Sequence, residues 1–172
     1  MEPQKENNRS VDPVPSLPRM FGGSVGSGEL SWVWAVERLS NAHTYWIVTT
    51  CPTGQPHSRP IWGIWLDNCF YFSTGSLAAQ NLLTQPAITV HLESGSEVVI
   101  IEGVTEQVTD PSLLVQVVSL YNQKYHWNLD PNQLPGPFYL VRPQVAFGWY
   151  FDESEVSPES TALGNATRWR FS

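Results

Sequence analysis

The chain has 172 residues, of which 41% are apolar and 15% charged, with a net charge of −7. That length predicts one domain with a real core, and the acidic balance without any stripe of Lys or Arg excludes nucleic acid as the expected partner. No apolar run approaches the length that crosses a bilayer, and the opening MEPQKENNRS has no apolar h-region, so a cytoplasmic protein is expected. Cys51 and Cys69 show neither C-x-x-C spacing nor a disulfide framework, which fits a reducing compartment. The 8 Trp, 6 Tyr and 7 Phe point to aromatic surface against a partner or a planar ligand, or simply to many strands.

In chain order, residues 1–29 are polar and rich in Pro, Gly and Ser, and are expected to form a flexible or loosely docked arm. Residues 30–172 form the domain. Trp32, Val36 and Leu39 recur at helical spacing behind a possible Ser31 cap, which predicts a helix over 30–42. Residues 45–51 read as a strand, Pro52–Gln55 as a turn with Gly54 at positive φ, and 56–66 as a second strand. Alternation places His57, Arg59 and Ile61 on one face of that strand and Ser58, Pro60 and Trp62 on the other. Neither face is cleanly polar, so both are expected to be covered, and Pro60 marks an edge or a bulge. Asp67-Asn68 predicts a two-residue hairpin turn into a strand at 69–73. A short helix over 76–84 stops at Pro86. Two strands at 87–93 and 97–108 form a further hairpin, and Asp110-Pro111 opens a helix to about Lys124. A loop at 128–137, strands at 138–142 and 144–151, a polar excursion at 152–165 and a last strand in ATRWRF complete the reading. Many strands at hairpin spacing predict a mainly β fold, a closed or half-closed antiparallel barrel with a few short helices.

One constellation suggests a ligand. At Ser73-Thr74-Gly75-Ser76 a strand ends and a helix begins. The first amides of a helix lack intrahelical acceptors and favour an anion, while hydroxyls there equally serve as ordinary caps. Arg59 lies in an aromatic strand and needs an anionic partner: a carboxylate such as Glu93 or Glu102, or a ligand phosphate. His91 and Glu93 share a strand face and could supply two metal ligands, but no third is evident, so no metal is expected. His57 and Ser58 point to opposite faces and cannot act as base and nucleophile. No G-x-S-x-G, phosphate-binding loop or dinucleotide fingerprint is present.

The runs PTGQPHSRPIWGIWLDNCFYFSTGS, QNLLTQPAITVHLE and EVVIIEGVT, with NQKYHW and ATRWRF further on, resemble the pyridoxamine 5'-phosphate oxidase-like family of flavin-binding split barrels, including its deazaflavin-dependent branch. The resemblance spans about residues 32–171. It implies an antiparallel split β-barrel homodimer with a cleft at the interface that binds FMN, or alternatively a deazaflavin coenzyme, and an oxidoreductase acting on a small molecule. Carried onto this sequence, Arg59 meets the phosphate or ribityl side, and Pro60, Ile61 and Trp62 lie against the isoalloxazine. Ser73, Thr74 and Ser76 hold the phosphate, with Gln80 and Asn81 on the cofactor side of the same helix. Trp149 covers the ring, and Arg168 or Arg170 supplies a cation from the tail. The sequence departs from the family at Leu77 and Ala78, where a Lys, often beside an Arg, is usual. That gap keeps a second reading open, a non-catalytic dimer binding a flavin, haem or another tetrapyrrole, and a third, a barrel with no ligand.

Overall fold

The computed structural model of the protein describes residues 12–20, 23–24, 28, 30–151 and 164–172. Ser31 accepts the Trp34 amide and opens α1 (Trp32–Asn41), which buries Trp32, Ala35 and Leu39 against the sheet. Before it stand a short strand, β1 (Val14–Ser16), and a small ribbon of β2 (Arg19–Met20) with β3 (Gly23–Ser24). The strands that follow are β4 (Tyr45–Thr50), β5 (Pro56–Ile61), β6 (Gly63–Leu66) and β7 (Cys69–Ser73). After helix α2 (Leu77–Thr84) come β8 (Ala87–Leu92) and β9 (Glu97–Gln107). Helix α3 (Pro111–Tyr125) leads to β10 (Phe138–Tyr150) and β11 (Thr167–Arg170).

All strand pairings among the described residues are antiparallel, and from β5 to β6 they run in one series whose two ends are joined by the chain itself. β5 pairs with β4, β6 with β7, β7 with β10, β10 with β9, β9 with β8, and β8 with β4. Only Trp62 separates β5 from β6, so the bend at Trp62 joins the two ends of that series. The split arises on β10. Its Phe138–Val141 half pairs with β7, while its Val145–Gly148 half pairs with β11. β1 adds outside β11. The expected split barrel is therefore the fold, and the part of the N-terminal arm at Val14–Ser16 is one of its outer strands.

Tyr45, Ile47, Phe70, Phe72, Val90, Val99, Ile101 and Trp169 fill the barrel and its seam with α1. Each such side chain contributes roughly 1.5–3 kcal/mol by leaving water. A second cluster lies under α3, from Val117, Val118, Tyr121, Tyr125, Ile64, Tyr71 and Phe138.

The predicted turns are present: Gly54 has φ +89, and Asp67 and Asn68 have φ 49 and 58, the left-handed pair of a type I′ hairpin. Three expectations need correction. The strand expected over 56–66 breaks at Trp62, because its two halves pair with different partners. Strands expected at 138–142 and 144–151 are one strand, with a register shift between Pro143 and Val145 in place of a break; a bulge accommodates the proline. Both faces of β5 were expected to be covered, yet Ser58 and Pro60 are exposed while His57, Arg59 and Ile61 are half-buried. Residues 152–163 of the expected polar excursion lie outside the described residues.

Candidate cofactor site

The site grows from the junction of β7 and α2, faced by β5. Ser76 is the N-cap of α2. Its Oγ accepts from the Ala78 amide at 3.3 Å and from Arg59 Nη1. With both acceptor positions used, the Ser76 proton goes to Thr74 Oγ1, 3.0 Å away. Thr74 Oγ1 also accepts from the Ser76 amide at 3.4 Å. Its own hydroxyl proton then has no acceptor in this set. Arg59 is thus held at the mouth of α2 by a neutral hydroxyl. The ion pairs among the described residues are Arg38–Glu97 and Arg142–Glu106, so neither Glu93 nor Glu102 neutralises Arg59.

Two buried nitrogens lack a partner among the described residues on this face of β5: Arg59 Nε and His57 Nδ1. They stand two residues apart, on the side facing Ile47 and Thr49 of β4. A buried donor without an acceptor is costly, and an anion against Arg59 would satisfy one. The guanidinium, the Thr74 hydroxyl and the first amides of α2 therefore suit a phosphate or similar anion. Positions 77 and 78 add no charge. Leu77 is 45% exposed and Ala78 is fully buried in the core.

The other predicted residues are distributed more widely. Ser73 Oγ donates to the Pro137 carbonyl at 2.9 Å, so it ties the 128–137 loop to the junction. Asn81 is 1% exposed, and its Nδ2 donates to Thr49 Oγ1 at 3.0 Å; that amide locks α2 onto β4. Gln80 is exposed on α2. Ile61 packs on the core beside Tyr45. Trp62 joins an aromatic group at the end of α3. Its ring stacks on Tyr125, with centroids 4.8 Å apart and planes 4° apart, and meets the edges of His43 and Trp127.

Pro60, Trp149 and Arg168 lie on the outer face of the sheet. One cross-strand row there runs Pro60, Trp46, His91, Ile100, Phe147, Arg168. Trp149 stands two residues beyond Phe147, with Nε1 buried and unpartnered among the described residues. Arg168 Nε donates to Ser16 Oγ at 3.2 Å. From β11 to β5 is five strand steps, roughly 24 Å along the sheet. Arg59 and Arg168 of one chain thus stand on opposite faces of strands at the two ends of this row.

Two features beside the site were not read from the sequence: the buried Nδ1 of His57, unpartnered among the described residues, and the 136–137 segment against Ser73. A Cβ on Gly136 would stand 3.8 Å from Ser73 Oγ. The Pro-Gly-Pro run signalled a loop and nothing about where the loop docks. Burial raises the Tyr125 hydroxyl to about 12 and lowers Lys124 to about 8; both groups bond the Gly63 carbonyl.

The geometry is that of a split β-barrel in which Arg59 is held at the mouth of α2, on a strand–helix junction. The family model for pyridoxamine 5'-phosphate oxidase matches residues 35–157, and the chain belongs to that family. Among solved structures, a conserved hypothetical protein of Mycobacterium tuberculosis matches with a TM-score of 0.63 at 23% identity, covering 77% of this chain and 92% of that one. The haem storage protein HutZ of Vibrio cholerae matches at 0.56 and 15% identity, with coverage of 66% and 88%. An FAD-binding protein of Mesorhizobium loti matches at 0.54 and 15% identity, with coverage of 81% and 95%. At these identities the likeness shows the fold. No curated protein matches the sequence. Among the described residues no helix is long and apolar enough to cross a membrane.

Proposed function

We infer that the protein is an oxidoreductase that binds FMN or a closely related flavin and works as a homodimer with its cofactor clefts at the interface. The observation that carries this reading is Arg59, a half-buried guanidinium with no carboxylate partner among the described residues, bonded to Ser76 at the start of α2. A bound flavin would supply hydride or single-electron transfer. The residues of the chain would bind and orient it. Arg59 neutralises the phosphate, the α2 amides and Thr74 donate to it, and Pro60–Trp62 align the ring system.

The outer sheet face supports the dimer. Trp46, His91, Ile100, Phe147 and Trp149 are only half-buried within one chain, and a contiguous aromatic and aliphatic face of this kind marks an interaction surface. A second copy laid on that face is what would bring Trp149 and Arg168 of one chain towards the Arg59 site of the other.

The test is titration of the purified protein with FMN, a deazaflavin and haem, read by flavin fluorescence and visible absorbance, with light scattering for mass. Saturable quenching by a flavin, a flavin band bleached by reductant, and a dimer mass are expected. Absence of quenching up to high-micromolar flavin refutes the reading. A Soret band on haem addition, without flavin binding, selects the non-catalytic alternative.

A further inference from the structure

We propose that Lys124 and Tyr125, at the end of α3, are positioning residues for the flavin-facing segment Arg59–Trp62, acting through the peptide of Gly63 and the ring of Trp62. This rests on the flavin reading above.

Backbone groups at the bend between β5 and β6 leave the ladder of β4 before joining that of β7, so they need other partners. Both polar groups of Gly63 find them on α3. The Gly63 amide donates to Tyr125 Oη at 2.9 Å, and its carbonyl accepts from Tyr125 Oη at 2.7 Å and from Lys124 Nζ at 3.2 Å. Tyr125 Oη also lies 2.9 Å from the His43 carbonyl, so its one proton is shared between two carbonyls. Lys124 Nζ completes its three donations on Tyr45 Oη at 2.8 Å and the Ser40 carbonyl at 3.3 Å. Gly63 itself admits no side chain, because a Cβ there would stand 2.6 Å from the Tyr71 carbonyl.

The same helix end fixes the neighbouring indole. His126 takes the left-handed conformation, φ 55, and ends α3. The Trp127 amide then turns back to the Asn122 carbonyl at 3.1 Å, and the Trp127 ring meets Trp62 edge-on at 5.8 Å while Tyr125 stacks on it. The stretch 124–127 therefore holds the bend that follows β5 through the backbone of Gly63 and the ring of Trp62. Barrel closure alone requires the backbone bonds; it does not require two aromatic rings on Trp62.

The experiment compares Tyr125→Phe, which keeps the ring and removes the hydroxyl, and Lys124→Met with the parent, at matched fold by circular dichroism. FMN affinity and the position and shape of the bound flavin's long-wavelength band are read in each. We expect a Kd raised about tenfold and a shifted band in both variants. Unchanged affinity and spectrum overturn the proposal. A weaker Kd that merely tracks the unfolded fraction, with an unchanged bound spectrum, overturns it equally, because that is the signature of closure alone. If Tyr125→Phe fails to fold, Lys124→Met decides, since it leaves the Tyr125 bonds in place. A parent that binds no flavin refutes the flavin reading itself and this assignment with it; a parent that binds while the variants match it refutes this assignment only.

Discussion

Replacing Leu77 by Lys should tighten FMN binding modestly and only at low salt. Leu77 is the first residue of α2, directly after the Ser76 cap, and 45% exposed. An ammonium there would sit on the order of 5 Å from an anion bound at the mouth of α2. At that distance a unit charge pair is worth about 0.8 kcal/mol in water and about 3 kcal/mol at an effective dielectric of 20. The half-exposed position favours the lower end, doubled for a dianion. The helix dipole opposes a cation at its N-terminus by about 0.3–1 kcal/mol, leaving a net gain of about 1 kcal/mol, near fivefold in Kd. Flavin fluorescence quenching at low ionic strength and at 1 M salt measures it. In 1 M salt the Debye length is about 3 Å, so the gain should vanish. A Kd within twofold of the parent at low salt, or a gain that survives 1 M salt, would refute the placement of the anion. Ala78→Lys is the opposing control. It buries an ammonium in a site with no space, so it should cost stability and not improve binding.

Arg59→Ala should weaken FMN binding by roughly tenfold to a hundredfold, in line with about 1.5–3 kcal/mol for a charged hydrogen bond, measured by the same titration. Gly63→Ala should lower the urea midpoint, because the added methyl meets the Tyr71 carbonyl; overpacking of this kind costs about 1–3 kcal/mol, and an unchanged midpoint would contradict the packing described. The pH dependence of unfolding has a defined sign. Lys124 is depressed to about 8 from 10.5, so between those values the unfolded chain keeps a proton that the native chain has released, and stability rises with pH. Tyr71 and Tyr125 are raised to about 12. Above pH 10 the unfolded chain loses their protons first, and stability falls. Urea midpoints across pH 7–11 should show the rise and then the fall, and Lys124→Met should remove the rise alone.

Local chemistry made most of the fold legible. Ser31, Ser76 and Asp110 cap the three helices as their side chains suggest, and Asp67-Asn68 forms the hairpin turn that its residue types favour. Long-range pairing was not legible. Nothing within residues 56–66 reveals that the halves on either side of Trp62 belong to different partners, and a proline at 143 reads as a break until β9 is known to continue past it. The same limit governs the site. Arg59, Thr74 and Ser76 converge because β5 and the β7–α2 junction converge. Asn81, on the same helix, turns inward to Thr49 instead. Strand alternation separated Arg59 from Pro60, but only the register places Pro60 in one row with Phe147 and Arg168.

The division of β10 between two partners bears on how the chain is made. Its Val145–Gly148 half waits for β11, and so does β1, whose Ser16 bonds the Arg168 carbonyl across 152 positions of sequence. A nascent chain emerging from its N-terminus can close the barrel once β10 is out, but the outer ladder forms only when the last residues are released. Until then one half of β10 presents an unpaired edge, a template for pairing with another chain. Trimming residues 167–172 would make that transient edge permanent and trimming 12–16 would bare the edge of β11, so insolubility on either change would report the loss of an edge guard, with the barrel itself intact.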